Sequence, residues 1–411
     1  MVNKSLNNKY EIVVVGGGMV GATFAIALSK ILDSDCPPIL VVEAAVAENQ
    51  TKFSPSYDAR STALSFGSRK ILEKSGIWSD LSDLVEPIKE IQISDKGHFG
   101  STRLSCEEQN VDALGYVVEN SDLGAVLSSR LESSLAVDFL SQGEIRGAVP
   151  TQKGMRLVIA HGREKYEIDT KLTVLADGGR SPICQKLGIQ RLQKSYEQRA
   201  IVANVSLQKP HKNIAFERFT PSGPFAMLPL RAFDDQNRCS MVCVTDEQES
   251  KEIMQMTERQ LIETLQEKFG SRLGKIIQVG ERYDFPLNLS IAKEQVRPGL
   301  VLLGNVAHTL HPVAGQGMNL ALRDINVLVN CLYQGIKRQI NPGDMNVLQG
   351  YIDEQMFDHQ RTISFTDNVV RLFSSNETRS IIGRKLGLLS LDLLPTLRKS
   401  FATEAMGIIR K

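Results

Sequence analysis

Short apolar runs bounded by glycine or an acidic residue set the pattern of the first part of the chain. Ile12–Val15 and Ile39–Val42 carry no polar interruption, which predicts strands buried on both faces of a sheet. An Ala-rich segment from Gly21 to about Lys30 lies between them and predicts a helix, so the opening unit reads β-α-β. After a polar stretch, Glu48 to Tyr57, the residues Asp58-Ala59-Arg60-Ser61-Thr62-Ala63-Leu64 lead into a helix carrying Arg69 and Leu72. Residues 85–103 are strand-like, Ser121–Leu135 is an amphipathic helix, and Leu157–Thr170 reads as the two strands of a hairpin. Leu172–Ala176 is another apolar strand, ending in Asp177-Gly178-Gly179-Arg180-Ser181. From about Ala200 to Pro286 a β pattern dominates, with strands near Ile201–Val205, Ala215–Phe219, Ala226–Leu230 and Ser240–Val244 and a helix near Thr257–Phe269. Leu300–Leu303 is one more buried strand, and the chain beyond Gln316 is mostly helical. The expected class is α/β with interleaved domains. A nucleotide-binding domain takes residues 1–85, 104–190 and 287–345, a β-sheet substrate domain takes 86–103 and 191–286, and 346–411 form a helical C-terminal region.

Glycines at the ends of these strands turn the pattern into chemistry. Gly16-x-Gly18-x-x-Gly21 follows a strand and opens a helix, which is the context that a dinucleotide fingerprint requires. Gly16 permits a tight turn, Gly18 lets backbone approach a pyrophosphate, and Gly21 lets helix pack on strand, so the helix N-terminus faces the anion without a lysine. Glu43 ends the second strand, about twenty residues beyond the glycines, where a carboxylate accepts hydrogen bonds from an adenosine ribose. A second glycine segment follows Leu300–Leu303. It runs through Gly304-Asn305, His308 and His311-Pro312 into a helix that begins around Gly315-Gln316-Gly317-Met318-Asn319. Backbone N–H groups at that helix start suit the negative charge of a reduced flavin; an ordinary helix start has the same glycines.

Composition narrows the class. At 411 residues two domains are the default, and a formal charge of +1 gives no electrostatic case for nucleic acid as a partner. The six cysteines are scattered without CxxC or zinc spacing, so they read as reduced thiols of a cytoplasmic protein, with no metal site expected. The polar residues before the first strand lack the apolar core of a signal peptide, and no run of about 18 apolar residues is present.

The segments GGGMVG, Ala176-Asp177-Gly178 and GNVAHTLHPVAGQGMNLALRD together resemble the group A flavoprotein monooxygenases, the aromatic hydroxylase family, over residues 10–345. Within that family the chain is similar to the ubiquinone-biosynthesis hydroxylases. The supporting stretches are Tyr57 to Leu64, Ser94 to His98, Ala215-Phe216-Glu217-Arg218-Phe219, Gly223 to Pro229, and the tail from Gly387-Leu388 through Ala405-Met406-Gly407. The resemblance implies a Rossmann-like FAD-binding domain interleaved with a substrate sheet, as in p-hydroxybenzoate hydroxylase. It also implies FAD as cofactor, NAD(P)H as electron donor and oxygen as co-substrate. Oxygen activated at the flavin C4a position would pass to the ring of a prenylated phenol, with 2-polyprenyl-6-methoxyphenol hydroxylated at C1 as the nearest case. A sibling acting at another ring carbon shares every cofactor motif. A prenyl reductase shares the fold, as do the halogenases, whose WxWxIP segment is missing here because Trp78 is the only tryptophan.

By the same resemblance Gly16, Gly18, Gly21 and Glu43 hold the ADP half of FAD, while Asp177 and Gly178 match a motif associated with FAD and nicotinamide. Asp-Gly is equally a common turn pair. Asn305 stands where the family usually has Asp, against a ribitol hydroxyl, and Gly315, Gly317, Met318 and Asn319 approach the flavin ring. His308, His311 and Arg60 are the polar candidates for catalysis, and Pro312 lies over the ring; hydrogen-bonded structural histidines are the alternative. Phe216, Phe219, Phe225, Met227 and Leu228 are an apolar set that suits a prenylated ring or simply a core. Residues 381–411 carry a net charge of +4 with Ile381, Ile382, Leu386, Leu389 and Leu393 at near-helical spacing. That pattern fits docking on the parent domain, a partner helix or an anionic membrane surface. A prenylated substrate would favour peripheral attachment to the inner membrane, and other ubiquinone-biosynthesis proteins are the implied partners.

Overall fold

Lys9–Val15 takes the middle of an eight-stranded sheet, in parallel with Ile39–Glu43 on one side and Glu164–Leu175 on the other. Val137–Ser141 and Leu300–Leu302 extend the sheet outward, also in parallel. The computed structural model describes residues 8–44, 60–96, 101–311, 315–374 and 394–408, the side chains of 369–374 excepted. Because side chains alternate along a strand, Ile12 and Val14 enter one core and Val13 and Val15 another. The first core is closed by the helices Met19–Leu32, Asn120–Ser133 and Gln316–Lys337. The second is closed by the hairpin Gly143–Thr151 and Gly154–His161, through Met155, Leu157 and Ile159. Burial on both faces is the physical reason that these strands read as unbroken apolar runs.

A nine-stranded sheet collects Glu90–Asp95, Ser101–Ser105, most of residues 191–292 and the short strand His308–Thr309. Its outer face lies under the helices Glu247–Gln255 and Glu258–Phe269, the latter started by a capping box of Thr257 and Gln260. Its inner face turns toward a three-stranded sheet, Ser61–Ser65, Val85–Ile88 and Gly115–Glu119. There Ile88 and Val117 pack with Ala215, Leu228 and Leu230, and Glu119 pairs with Arg238 at 2.8 Å.

The expected helix carrying Arg69 and Leu72 runs Phe66–Lys74; before it Ser61–Ser65 pairs as a strand with Gly115–Glu119, and the Ser65 hydroxyl caps the helix by accepting from Ser68 N. Two expectations change. The strand Tyr283–Ala292 carries the substrate sheet past residue 286. The apolar set proposed to face substrate divides: Phe216, Phe225 and Met227 are buried against Phe269 and Leu265 on the outer side, as core. Phe219 and Leu228 belong to the inner side.

At the C-terminus, Met345–Ser374 packs along Gln316–Lys337. Pro395–Ala405 docks on the body of the protein, where Ala402 and Met406 join Phe66, Leu104, Cys106 and Leu114. Gly67 N donates to Met406 O at 2.8 Å, and Arg398 pairs with Glu108 at 3.0 Å. Docking on the parent domain therefore holds for 394–408; the apolar and basic residues proposed at 381–393 lie outside the described residues. Among the described residues no helix is long and apolar enough to cross a membrane. All six cysteines are free thiols.

Candidate functional site

Strand register gathers the site. Val15 is level with Val42 and with Leu175, and Leu175 with Leu302, so the next residues, Gly16, Glu43, Ala176 and Leu303, form one row at the carboxyl ends of four parallel strands. Open α/β sheets bind nucleotides at this edge. Gly16 adopts φ +102°, and a β-carbon there would sit 2.5 Å from Ala176 O, so only glycine passes between the two strand ends. Glu43 accepts a hydrogen bond from Gly17 N at 2.7 Å, which holds the carboxylate against the glycine turn. The helix that follows is capped by Gly18, with no side-chain cap and no acidic residue in its first turn. No side chain of its own first turn therefore occupies its leading N–H groups, which leaves them for an anion.

Asp177 begins the loop beside this turn. Burial pushes its carboxyl up to about 6, the Ser181 hydrogen bond acting in the opposite direction. Its Oδ1 is buried without a hydrogen-bond partner among the described residues, an acceptor that a sugar hydroxyl would satisfy. A β-carbon on Gly178 would meet nothing within 4 Å, and one on Gly179 would lie 3.6 Å from Asn305 O. The middle and late motifs are therefore neighbours. Asn305 belongs to a 3₁₀ turn, Gly304–Val306, with its side chain exposed. Arg191, to which the sequence reading gave no role, fastens that turn by donating to Val306 O and Asn305 O. Replacing Asn305 by Ala should release FAD during purification, while Asp should retain it, because either an amide or a carboxylate oxygen accepts a ribitol hydroxyl and a methyl group does not. Flavin absorbance per mole of purified protein measures this, and an Ala variant with full flavin would remove Asn305 from the site.

The late helix starts at Gly315, again without a side-chain cap or an acidic first turn. Gly317 has open space where a side chain would begin. Met318, one residue on, is partly buried against the first core. The Asn319 side chain is held by the protein itself. Its Oδ1 accepts from Ser65 N and Ser68 Oγ, and its Nδ2 donates to Ala63 O and Gly315 O, all at 2.7–2.9 Å. The amide is wholly engaged in pinning the helix start to the strand Ser61–Ser65.

The polar candidates separate. His308 is 1% exposed and its Nε2 lies 2.6 Å from Asp324 Oδ2, inside the helix pair. A carboxylate thus orients this histidine: Asp324, the last residue of the segment GNVAHTLHPVAGQGMNLALRD, which no local sequence signal singles out. Asp324 also receives Gln355 Nε2 and His359 Nε2, each at 2.7 Å. Histidine and carboxylate atoms of this cluster lie within 4.8 Å of one another, a set that could ligate a metal, but direct hydrogen bonds already join them. His311 is fully buried, edge-on to Tyr196 at 5.3 Å, and burial pushes its pKa down to about 4, so the ring is neutral at physiological pH. Arg60 stands 4.6 Å over the Phe285 ring at the junction of the two sheets. Pro312 lies outside the described residues.

The glycine row, two uncapped helix starts and the orphaned Asp177 oxygen together fit FAD. Comparisons agree. Residues 9–351 match the FAD binding domain family. The ubiquinone hydroxylase UbiL of Rhodospirillum rubrum is 30% identical over all of this chain and 92% of its own length. The 3-demethoxyubiquinol 3-hydroxylase of Escherichia coli is 29% identical over 98% of this chain and 100% of its own. In fold, the chain superimposes on p-nitrophenol 4-monooxygenase PnpA of Pseudomonas putida with a TM-score of 0.79 at 16% identity, covering 98% of this chain and 100% of that one. The chain belongs to the FAD binding domain family, as an FAD-dependent monooxygenase that uses NAD(P)H and oxygen.

Proposed function

We propose that this monooxygenase hydroxylates the aromatic ring of a prenylated phenol in ubiquinone biosynthesis, at C1 of 2-polyprenyl-6-methoxyphenol. The observation that carries the reading is similarity along the whole chain to hydroxylases named for ubiquinone and its precursors. When bound, FAD supplies storage of the electrons delivered by NAD(P)H and activation of oxygen for transfer to the ring. This chain's own residues bind and orient. Gly16 to Gly21 and Glu43 anchor the nucleotide, Arg191 holds the Gly304–Val306 turn, and Asn319 fixes the start of the helix at residue 316. The inner sheet face is apolar at Ala215, Phe219, Ala226 and Leu228, a setting that suits a prenylated ring.

A second reading places the hydroxyl at another ring carbon, favoured by the E. coli relative whose name specifies position 3. Lipid extracts of a strain lacking this gene separate the two by mass spectrometry. Accumulated 2-prenyl-6-methoxyphenol with a fall in ubiquinone supports C1; a later intermediate supports the sibling position, and an unchanged quinone pool rejects both. Stoichiometric oxygen consumption by the purified protein distinguishes either from a prenyl reductase. Partners among other ubiquinone-making proteins and peripheral contact with the inner membrane through the C-terminal region belong to the same proposal. Liposome co-sedimentation of the full chain against one ending before Ile381 tests the membrane contact, and equal binding rejects a role for the tail.

A further inference from the structure

The inner face of the nine-stranded sheet carries a carboxylate, Glu217, that has no hydrogen bond or ion pair among the described residues. Glu217 lies on the strand Ile214–Thr220, level with Ala226 on one neighbouring strand and Ile93 on the other. Alternation places it on the same face as Ala215 and Phe219, and opposite to Phe216 and Arg218, whose side chains reach Phe269. The residues directly level with it, Ala226 and Ile93, and those two along its own strand, Ala215 and Phe219, are apolar; Asp95, level with Phe219, is the other carboxylate on this face. Ala215 packs toward Val117 and Ile88 of the flavin-side sheet, and Phe219 and Ile93 pack toward Phe401 of the C-terminal helix. Glu217 sits between these two clusters. Its side chain is half-buried there, with no hydrogen bond or ion pair among the described residues.

A carboxylate so placed is costly. An unpaired buried charge is disfavoured unless a donor reaches it, and burial alone pushes the Glu217 carboxyl up to about 7. Strand positions facing an apolar core are filled by apolar residues, and the outer face of the same strand follows that rule with Phe216. An acceptor kept on an apolar face turned toward the flavin domain matches a ligand that is apolar around one hydroxyl donor. A phenol with a hydrocarbon tail has this composition.

We propose that Glu217 is the substrate-recognising residue that accepts the hydrogen bond of the phenol hydroxyl, selecting a ring with a free hydroxyl over its ether. The assignment rests on the reading of the substrate as a phenol. A carboxylate accepts that hydroxyl in a short, charge-assisted bond, whereas an O-methyl ether offers only a second acceptor and leaves the carboxylate without a partner.

Flavin-loaded wild type, Glu217→Gln and Glu217→Leu are compared at pH 8, with binding of 2-prenyl-6-methoxyphenol and of its O-methyl ether read from the flavin absorbance change. Flavin content per protein should match in all three, because Glu217 lies outside the nucleotide cradle. Wild type should prefer the phenol. Leucine should weaken phenol binding by about ten- to a hundredfold, the worth of a hydrogen bond to a charged group, with ether binding unchanged or tighter. Glutamine, which keeps an acceptor without charge, should fall between. A leucine or glutamine variant that keeps the wild-type preference for phenol over ether overturns the role of Glu217 and leaves the phenol hydroxylase reading standing. Wild type that neither binds nor oxygenates any such phenol overturns both.

Discussion

Alanine at position 21 is expected to leave the protein without flavin and destabilised by roughly 3 kcal/mol or more, since a methyl forced into a packed helix–strand contact displaces backbone. The β-carbon would lie 1.9 Å from Gly16 O and 3.1 Å from Val14 Cγ1. The nearest of these atoms is the carbonyl of the turn that shapes the nucleotide cradle, so the helix Met19–Leu32 must lift from the strand or the turn must open. Gly317 is the control. It too belongs to a glycine motif, but a β-carbon there meets nothing within 4 Å and its backbone is helical. Gly317→Ala should therefore raise the stability of the flavin-free protein by up to about 1 kcal/mol, as alanine does in a helix, and yet lower flavin retention if the open space is the flavin's. Urea denaturation of flavin-stripped protein and flavin absorbance of the protein as purified give the two readouts. Parallel losses at both positions would mean that the late glycines serve the fold and not the cofactor.

The contrast between those glycines shows what a sequence reveals and what it withholds. The cradle at Gly16 to Gly21 and Glu43 was legible because strand, turn, helix and second strand follow one another within a short stretch, and each residue type has a local reason. The adjacency of Asp177 and Asn305 was not, because it depends on which parallel strands pair and in what register. Period two in Ala215 to Phe219 reveals two faces without saying which is core. Phe216 was assigned to substrate by its apolar character and packs beneath helices instead, while the charged residue beside it faces inward. His308 lacked a visible carboxylate because its partner lies sixteen residues onward, brought back by the turn into the helix Gln316–Lys337. The third and fourth members of that cluster, Gln355 and His359, come from another helix and carry no local signal at all.

That cluster supports the second large effect. Asp324→Leu should cost about 3–5 kcal/mol, because the carboxylate is fully buried and its loss strands three hydrogen-bonding nitrogens in the protein interior. Asp324→Asn keeps the shape and one acceptor, and it tests charge separately. Burial alone would raise the Asp324 carboxyl, but the charge and hydrogen bonds of His308 and His359 outweigh it and hold the group at about 2. Burial would likewise lower His359, and its hydrogen bond to Asp324 outweighs that and raises it. The depressed carboxyl contributes stability in full above its unfolded value of about 4, and loses it as pH falls toward 2. The raised imidazole contributes in full below its unfolded value of about 6.5, and loses it as pH rises through the higher folded value. The stability gap between wild type and Asp324→Asn should therefore be widest between about pH 4 and 6.5 and shrink on either side. A gap that does not vary with pH would mean that shape and hydrogen bonding, not charge, hold the pair of helices together. The neighbouring contact of Arg323 with Asp358 at 2.6 Å joins the same two helices. A residual resistance to unfolding in the leucine variant would be traced to it by adding Asp358→Asn, and non-additive losses would show that the two buried contacts act as one clamp behind the flavin loop.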